Sequence, residues 1–308
     1  MQTRNIGSLR VSVVGLGCNN FGRRIDAMAT DAVVQAALDS GITFFDTADI
    51  YGEGQSEEFL GRALGARRAD VVVATKFGMP MRDKKGARPA YLRAALDDSL
   101  RRLGTDHVDL YQLHQPDPET PIAETLATLD DLVKAGKVRE IGCSNFSTDG
   151  LRAAREAPRP GAARFVSVQN EYSLLHRDPE RGVVAECERQ GLAFIPYFPL
   201  ASGLLTGKYR KGKPRPQGTR LSGGPRGDEL LTDSNLDIVE ALIAFTSSRD
   251  RTLLELAISW LLSHSAVASV ISGATRPDQV AANARAGSWR LSEAEMAEVD
   301  AIVHQSTG

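Results

Sequence analysis

The sequence predicts an α/β fold: a (β/α)8 TIM barrel of parallel strands with an amino-terminal β-hairpin and an additional carboxyl-terminal helix. Short β-branched or aromatic runs, apolar on both faces, alternate with stretches of helical periodicity, which is the pattern of a buried parallel sheet. Eight such runs occur, and eight units close most naturally as a barrel. The 308 residues also suit one barrel of about 250 residues with insertions. A doubly wound open sheet is the next reading.

The elements follow in chain order. Arg4 to Val11 carries a Gly7-Ser8 turn and reads as a hairpin that could plug the amino-terminal end of the barrel. Strands are expected near Val13 to Leu16, Phe44 to Asp46, Val71 to Thr75 and Asp109 to Leu113, then near Val138 to Cys143, Val166 to Gln169, Ala193 to Tyr197 and Ser269 to Ile271. Between them, Thr30 to Ser40 reads as a helix opened by a capping Thr and stopped before Gly41. Pro89 to Leu103 has proline early and stops before Gly104, and Ile122 to Ala135 stops before Gly136. Lys208 to Asn235, rich in Gly, Pro, Lys and Arg, is too long for an ordinary connection and reads as a lid or a poorly ordered loop. Glu293 to Val303 reads as a last amphipathic helix. With no linker, repeat or low-complexity tract, residues 1–308 are expected to form one domain.

The 37 basic and 39 acidic residues nearly cancel, which excludes a nucleic-acid footprint or polybasic membrane patch in the overall balance and leaves a small molecule as the expected partner. Cys18, Cys143 and Cys187 are few, odd in number and widely spaced, so neither a disulfide framework nor a metal site is expected. A cytoplasmic location follows from that reducing-compartment reading. The start has no apolar signal region, and no uncharged run reaches about 18 residues. Oligomeric state has no sequence signature here.

Chemistry concentrates at the carboxyl ends of the expected strands. Asp46 and Tyr51 flank the exit of one apolar strand, and the next two deliver Lys76 and His114 at the equivalent place. In a parallel barrel these ends open onto one face, so the four side chains can share a pocket. A phenol of pKa about 10 is a poor acid near neutrality until a cation stabilises its anion. At about 4 Å and an effective dielectric of about 20, Lys76 supplies up to ~4 kcal/mol, or roughly three pK units, which reaches neutral pH. Asp46 would keep Lys76 charged, and His114 could hydrogen-bond a substrate oxygen. That is a general-acid site for a carbonyl becoming an alcohol. Cys18 and Asn19, just after the first strand, would line the pocket if the barrel forms.

These motifs resemble the aldo-keto reductases along nearly the full chain. Gly41-Ile42-Thr43-Phe44-Phe45-Asp46-Thr47-Ala48 with Tyr51-Gly52, then Ala74-Thr75-Lys76, Leu113-His114, Ile141-Gly142-Cys143-Ser144-Asn145-Phe146 and Gln169-Asn170-Glu171-Tyr172 occur in the family's order. The resemblance implies a barrel that binds NADPH in extended form without a Rossmann fold and reversibly reduces aldehydes and ketones. It makes Tyr51 the proton donor, Lys76 and Asp46 its pKa-setting pair, and His114 the group that orients the carbonyl.

The implied cofactor set begins with Gly17, Cys18 and Asn19. Ser144, Asn145 and Gln169 match the residues that hydrogen-bond the carboxamide, and Tyr197, in Pro196-Tyr197-Phe198-Pro199-Leu200, matches the ring stacked on the nicotinamide. Ser202, Leu204, Lys208 and Arg220 fall in or after a segment similar to the phosphate-covering loop of the bacterial and potassium-channel β-subunit branches. Gly273, Thr275, Arg276, Gln279 and Asn283 resemble the adenosine segment at a helix start, with Arg276 as the 2′-phosphate ligand. Many members have lysine where Gly273 stands and arginine where Gln279 stands, so NADH remains a second cofactor. His114, where double-bond reductases of the family carry glutamate, favours carbonyl substrates. Gly308 comes too early for the long carboxyl-terminal loop of the steroid-type members, which implies an open substrate pocket. Two other functions stay open: an NADPH-binding redox sensor or regulatory subunit with little turnover, and a barrel lyase in which Lys76 forms a Schiff base.

Overall fold

The computed structural model describes residues 1–81 and 85–305. The chain opens with an antiparallel hairpin, β1 (Thr3–Ile6) and β2 (Leu9–Ser12), paired from Thr3↔Ser12 to Ile6↔Leu9. It continues through β3 (Val14–Gly17), α1 (Ala27–Asp39), β4 (Phe44–Asp46), α2 (Gln55–Leu64), β5 (Val72–Phe77), α3 (Pro89–Leu103), β6 (Val108–Leu113), α4 (Ile122–Lys134) and β7 (Val138–Ser144). Next come α5 (Thr148–Glu156), β8 (Phe165–Glu171), α6 (Val183–Gln190), β9 (Ala193–Tyr197), α7 (Pro225–Leu230), α8 (Asp233–Ser247), α9 (Leu253–Leu262), β10 (Val270–Gly273), α10 (Pro277–Ala286) and α11 (Glu293–Gln305).

Among the described residues the eight strands from β3 to β10 form one parallel sheet in the order β10-β3-β4-β5-β6-β7-β8-β9. The remaining seam is drawn together by backbone bonds from Phe194 N to Ala266 O (2.7 Å) and from Ala268 N to Phe194 O (2.9 Å). The result is a nearly closed barrel ringed by helices, the (β/α)8 architecture that the alternation predicts.

Period-2 alternation along each strand makes two cores. Phe44, Val72, Ala74, Leu110, Ala193, Ile195 and Ile271 point inward and meet Ile6, Leu9 and Val11 of the hairpin, which plugs the barrel floor as the sequence suggests. The alternate residues pack outward against the helices. Arg4 fastens the plug by donating to the carbonyls of Leu262, His264 and Val267.

Several boundaries move from their expected places, for identifiable reasons. Helix α1 starts earlier than the Thr30 reading, because Asp26 is the cap and accepts Ala29 N at 2.9 Å. Thr30 lies buried in the first turn and donates its hydroxyl to Asp26 O at 2.7 Å. Strands β5, β7, β8 and β10 run past the expected stops, since ladder bonding continues through polar residues and glycine. Lys76 and Ser144 are therefore held on strands and not on loops, which fixes them more tightly.

The segment expected as a long loop, 208–235, contains α7 and reaches the start of α8. It folds back on itself where Leu221 N donates to the buried Tyr209 hydroxyl at 3.1 Å. Among the described residues no helix is long and apolar enough to cross a membrane.

Candidate active site

The carboxyl ends of the barrel strands surround a cavity of about 920 Å³. Strand β4 ends on Asp46, β5 carries Lys76, and His114 directly follows β6. Asp46, Tyr51 and His114 line the cavity, whereas Lys76 lies fully enclosed behind them.

Lys76 uses all three of its protons. Its Nζ donates to Asp46 Oδ2 at 2.6 Å, to Thr47 O at 3.0 Å and to the Tyr51 hydroxyl at 3.5 Å. The Tyr51 ring meets His114 edge-on, with centroids 5.9 Å apart and planes at 81°. The four distant residues singled out by their places at strand ends thus come together at one end of the cavity, with Lys76 in contact with the Tyr51 hydroxyl.

Their protonation differs in one respect from what the pairing alone suggests. Burial works against the charged form of Lys76, yet the Asp46 carboxylate and Tyr51 together outweigh it and hold the ammonium above its ordinary range. Pairing with Lys76 alone predicts a lowered Tyr51 pKa. Instead, burial pushes its phenol up, and the pull of Lys76 is opposed by the negative charge of Asp46. The resting phenol therefore keeps its proton. His114 is lowered to about 3 by burial and by the Lys76 charge, so its ring is neutral at physiological pH. Its Nδ1 is buried without a hydrogen-bond partner among the described residues.

A second set of bonds joins the residues expected at a carboxamide. Asn145 Nδ2 donates to His114 O (3.0 Å) and Ser144 Oγ (3.1 Å), while its Oδ1 accepts the Tyr197 hydroxyl at 2.8 Å. Ser144 Oγ donates to Gln169 O at 2.7 Å. Gln169 lines the cavity, but its amide nitrogen is committed to Asp46 Oδ1 at 2.9 Å.

The far half of the cavity is cationic. Lys208 is lowered by burial and then by the charges of Arg24, Arg276 and Arg220; Arg220 is lowered by burial and then by Arg24, Arg23 and Arg226. Cations crowded into a partly enclosed groove raise its attraction for anions. Arg276 stands at the amino terminus of α10 and pairs with Asp278 through two 3.0 Å contacts. Such an exposed pair is weak and yields readily to a competing anion. Gln279 Oε1 accepts Thr275 N at 2.8 Å, which organises the same turn. Above the groove, Phe198, Ala201 and Ser202 take left-handed φ values of 49°, 44° and 58°. Non-glycine residues in that region are strained, and such strain clusters at ligand-holding segments.

The other residues singled out in the sequence also line the cavity, with one correction. Leu204 is fully buried and packs in the outer core, because its turn aims the neighbouring Ser202 and Gly203 at the opening. Sequence reading missed Arg23, Arg24, Asn20 and Ser272. It also missed Gln112, whose polar side chain shares the inward face of β6 with Leu110; a polar residue at an inward position of the alternation was the available signal. Asn20 joins two walls, accepting from Arg220 Nη2 at 3.5 Å and donating to Ala274 O at 3.1 Å. No group of three or more metal-ligating side chains occurs among the described residues.

Just behind Tyr51, Asp49 is almost fully buried and Glu57 completely so. Burial pushes the Asp49 carboxyl up to about 7, and the Glu57 carboxylate adds to the shift; Arg102, which pairs with Glu57 at 2.7 Å, and the Tyr91 hydroxyl at 3.5 Å pull it back. Since the folded value exceeds the unfolded one of 3.8, stability is lost as pH rises towards 7, by up to about 4 kcal/mol. Denaturant titrations at pH 5 and pH 8 are expected to show the part of this loss that falls between pH 5 and 7, ~3 kcal/mol, in the natural protein and little of it in Asp49→Asn.

The sequence profile of the Aldo/keto reductase family matches residues 13–304. The chain is 34% identical to the L-glyceraldehyde 3-phosphate reductase of Escherichia coli, covering 97% of this chain and 92% of that protein. It is 36% identical to a probable voltage-gated potassium channel subunit beta of Oryza sativa, covering 93% and 91%. Among solved structures, the glycerol dehydrogenase of Gluconobacter oxydans superposes with a TM-score of 0.86 at 30% identity, covering 99% and 95%. A holo-form aldo-keto reductase of Bacillus halodurans gives 0.81 at 32%, covering 98% and 96%. By profile, by identity along almost its whole length and by superposition, the chain belongs to the aldo/keto reductase family of oxidoreductases.

Proposed function

We propose that this protein reduces an aldehyde or ketone to the alcohol, reversibly, with NADPH as the hydride donor and Tyr51 as the proton donor. The observation that carries the reading is the relay from Asp46 to Lys76 to the Tyr51 hydroxyl, with distances of 2.6 and 3.5 Å, beside a neutral His114 on one cavity wall.

The cavity suits a dinucleotide. At about 920 Å³ it lies near the upper end of small-molecule sites, roughly 300–1,000 Å³. Ser272 Oγ, on its wall, is buried without a partner among the described residues, and the cations facing one another across it gain from an anion between them. Lys208, Arg220 and Arg276 would hold the phosphates, Ser144, Asn145 and Gln169 the carboxamide, and Tyr197 the nicotinamide face. When bound, the reduced nicotinamide supplies the hydride.

The chain's own residues then have separate tasks. The neutral imidazole of His114 offers one N–H to orient a carbonyl oxygen without competing for its proton. Tyr51, still protonated, delivers its proton to that oxygen as negative charge develops there. Lys76 steadies the resulting phenolate, and Asp46 keeps the ammonium charged and in place.

The two relatives named for their chemistry act on three-carbon compounds, so glyceraldehyde and glyceraldehyde 3-phosphate head the assay panel. Following NADPH absorbance is expected to show turnover with short hydroxyaldehydes; none across aldehydes, ketones and sugars would remove the reading. In Arg276→Ala, kcat/KM for NADPH should fall about 10- to 100-fold, the value of a charged phosphate contact, with NADH unaffected. Equal losses for both nucleotides would deny Arg276 the 2′-phosphate.

The rice relative favours a second reading as an NADPH-binding regulatory subunit. Tight dinucleotide retention with negligible turnover and a copurifying partner would support it. A Lys76 Schiff-base lyase loses support, since its nitrogen is charged, enclosed and hydrogen-bonded three times.

A further inference from the structure

The geometry points to Gln112 as a positioning residue for the proton transfer, holding the Asp46 carboxylate in the orientation that aims Lys76 at Tyr51. It acts through Asp46 and Lys76 and does not line the cavity. The inference rests on the reading of Tyr51 as proton donor given above.

Gln112 sits on β6, fully buried, in register with Lys76 of β5 on one side and Gly142 of β7 on the other. Side-chain alternation turns it into the barrel along with Leu110 below and His114 above. Its Nε2 donates to Asp46 Oδ1 at 3.1 Å, and Gln169 Nε2 donates to the same oxygen at 2.9 Å. Two amides from two strands thus occupy one carboxylate oxygen, leaving Oδ2 to the Lys76 ammonium at 2.6 Å.

That division of labour has a mechanical consequence. The ammonium has two short bonds, to Asp46 and Thr47, and one long one to the phenol. Its distance from Tyr51 is therefore set by where Asp46 Oδ2 stands, and that depends on what pins Oδ1. The donors also draw carboxylate charge away from Lys76 and Tyr51. Tyr51 feels that charge, because Asp46 raises its pKa.

The rest of the Gln112 side chain argues that this donation is what the residue is for. Its Oε1 is buried with no partner among the described residues. A buried unsatisfied carbonyl costs free energy that leucine in the same place would avoid. The glycine opposite also leaves space for the side chain: a Cβ at Gly142 would stand 3.3 Å from Gln112 Cγ and 2.5 Å from Ser167 Oγ. An amide kept in the barrel interior with one end unsatisfied and the other on the Asp46 carboxylate fits a demand of the reaction better than a demand of packing.

The test is Gln112→Leu, measured for kcat, KM, thermal midpoint and the pH dependence of carbonyl reduction with NADPH. The expected result is a kcat about 10- to 100-fold lower, the worth of one hydrogen bond to a charged group, with KM and NADPH affinity within about twofold and the thermal midpoint unchanged or raised. With one donor gone, Asp46 acts more strongly on Tyr51, so the alkaline fall in rate moves to higher pH. In an Asp46→Asn background the same substitution should change kcat less than about twofold. An unchanged kcat and pH profile in Gln112→Leu would overturn the role, as would a loss of activity that merely follows a falling thermal midpoint. If the leucine variant does not fold, Gln112→Met, closer in shape, carries the same measurements. Failure of this proposal alone leaves Tyr51→Phe inactive beside a normal Gln112→Leu; failure of the underlying reading leaves Tyr51→Phe active.

Discussion

Tyr51→Phe is expected to lower carbonyl reduction by about 10²- to 10⁴-fold, the usual contribution of a positioned proton donor. The substitution removes one oxygen and keeps the ring that meets His114 edge-on at 5.9 Å. None of the cations at the far end of the cavity depends on that hydroxyl, so NADPH affinity, read by fluorescence titration, should stay within about twofold. Steady-state rates and binding measured on one preparation separate the two effects. Because burial holds the phenol above its ordinary value, reduction by the natural protein should not decline as pH passes through 7 to 9 on account of Tyr51. Turnover near the natural rate in Tyr51→Phe would show that another group gives the proton.

Lys76→Met should be nearly as damaging, and its cost should divide between stability and rate. The Asp46 carboxylate, almost fully buried, would lose its counter-charge, and breaking such a pair costs about 3–5 kcal/mol. Since Lys76 is held above its unfolded value of 10.5, the pair's contribution is complete at neutral pH and is lost only as pH climbs beyond that. The double variant Asp46→Asn/Lys76→Met removes both charges and is expected to regain most of the stability while remaining at least about 10²-fold slow, because no cation is left for the phenolate. Denaturant titration and initial rates of the three variants check this. A double variant as fast as the natural protein would show that the pair is structural only.

The fold was legible in this sequence because parallel-barrel strands are apolar on both faces and their helices stop at glycine, as at Gly104 and Gly136. What escaped were features decided by tertiary packing. Thr30 looked like a cap, but Asp26 four residues earlier takes that place and leaves Thr30 to be buried. Residues 208–235 read from composition as a lid or a poorly ordered loop; in the structure Tyr209 and Leu221 are buried and bonded to each other and α7 forms within the segment.

The site was legible where a charged or aromatic residue marks a strand end, as Asp46, Tyr51, Lys76 and His114 do. It was misread where a role depends on direction. Leu204 lies in a cavity-forming turn but points into the core, and a pairwise estimate for Tyr51 and Lys76 omitted the desolvation and the Asp46 charge that reverse its sign. Arg23 and Arg24 carry no mark in the sequence that sets them apart; the barrel brings them into the same cavity as Lys208 and Arg220.

The proposed reaction requires Tyr51 to meet the reacting carbonyl oxygen while a nicotinamide lies in the same cavity. A crystal structure of the protein with oxidised dinucleotide and a carbonyl-bearing inhibitor tests it most directly. The inhibitor oxygen is expected within about 3 Å of both the Tyr51 hydroxyl and the His114 ring, with the dinucleotide phosphates among Lys208, Arg220 and Arg276. A carbonyl bound away from Tyr51, or a dinucleotide seated outside this cavity, would contradict it.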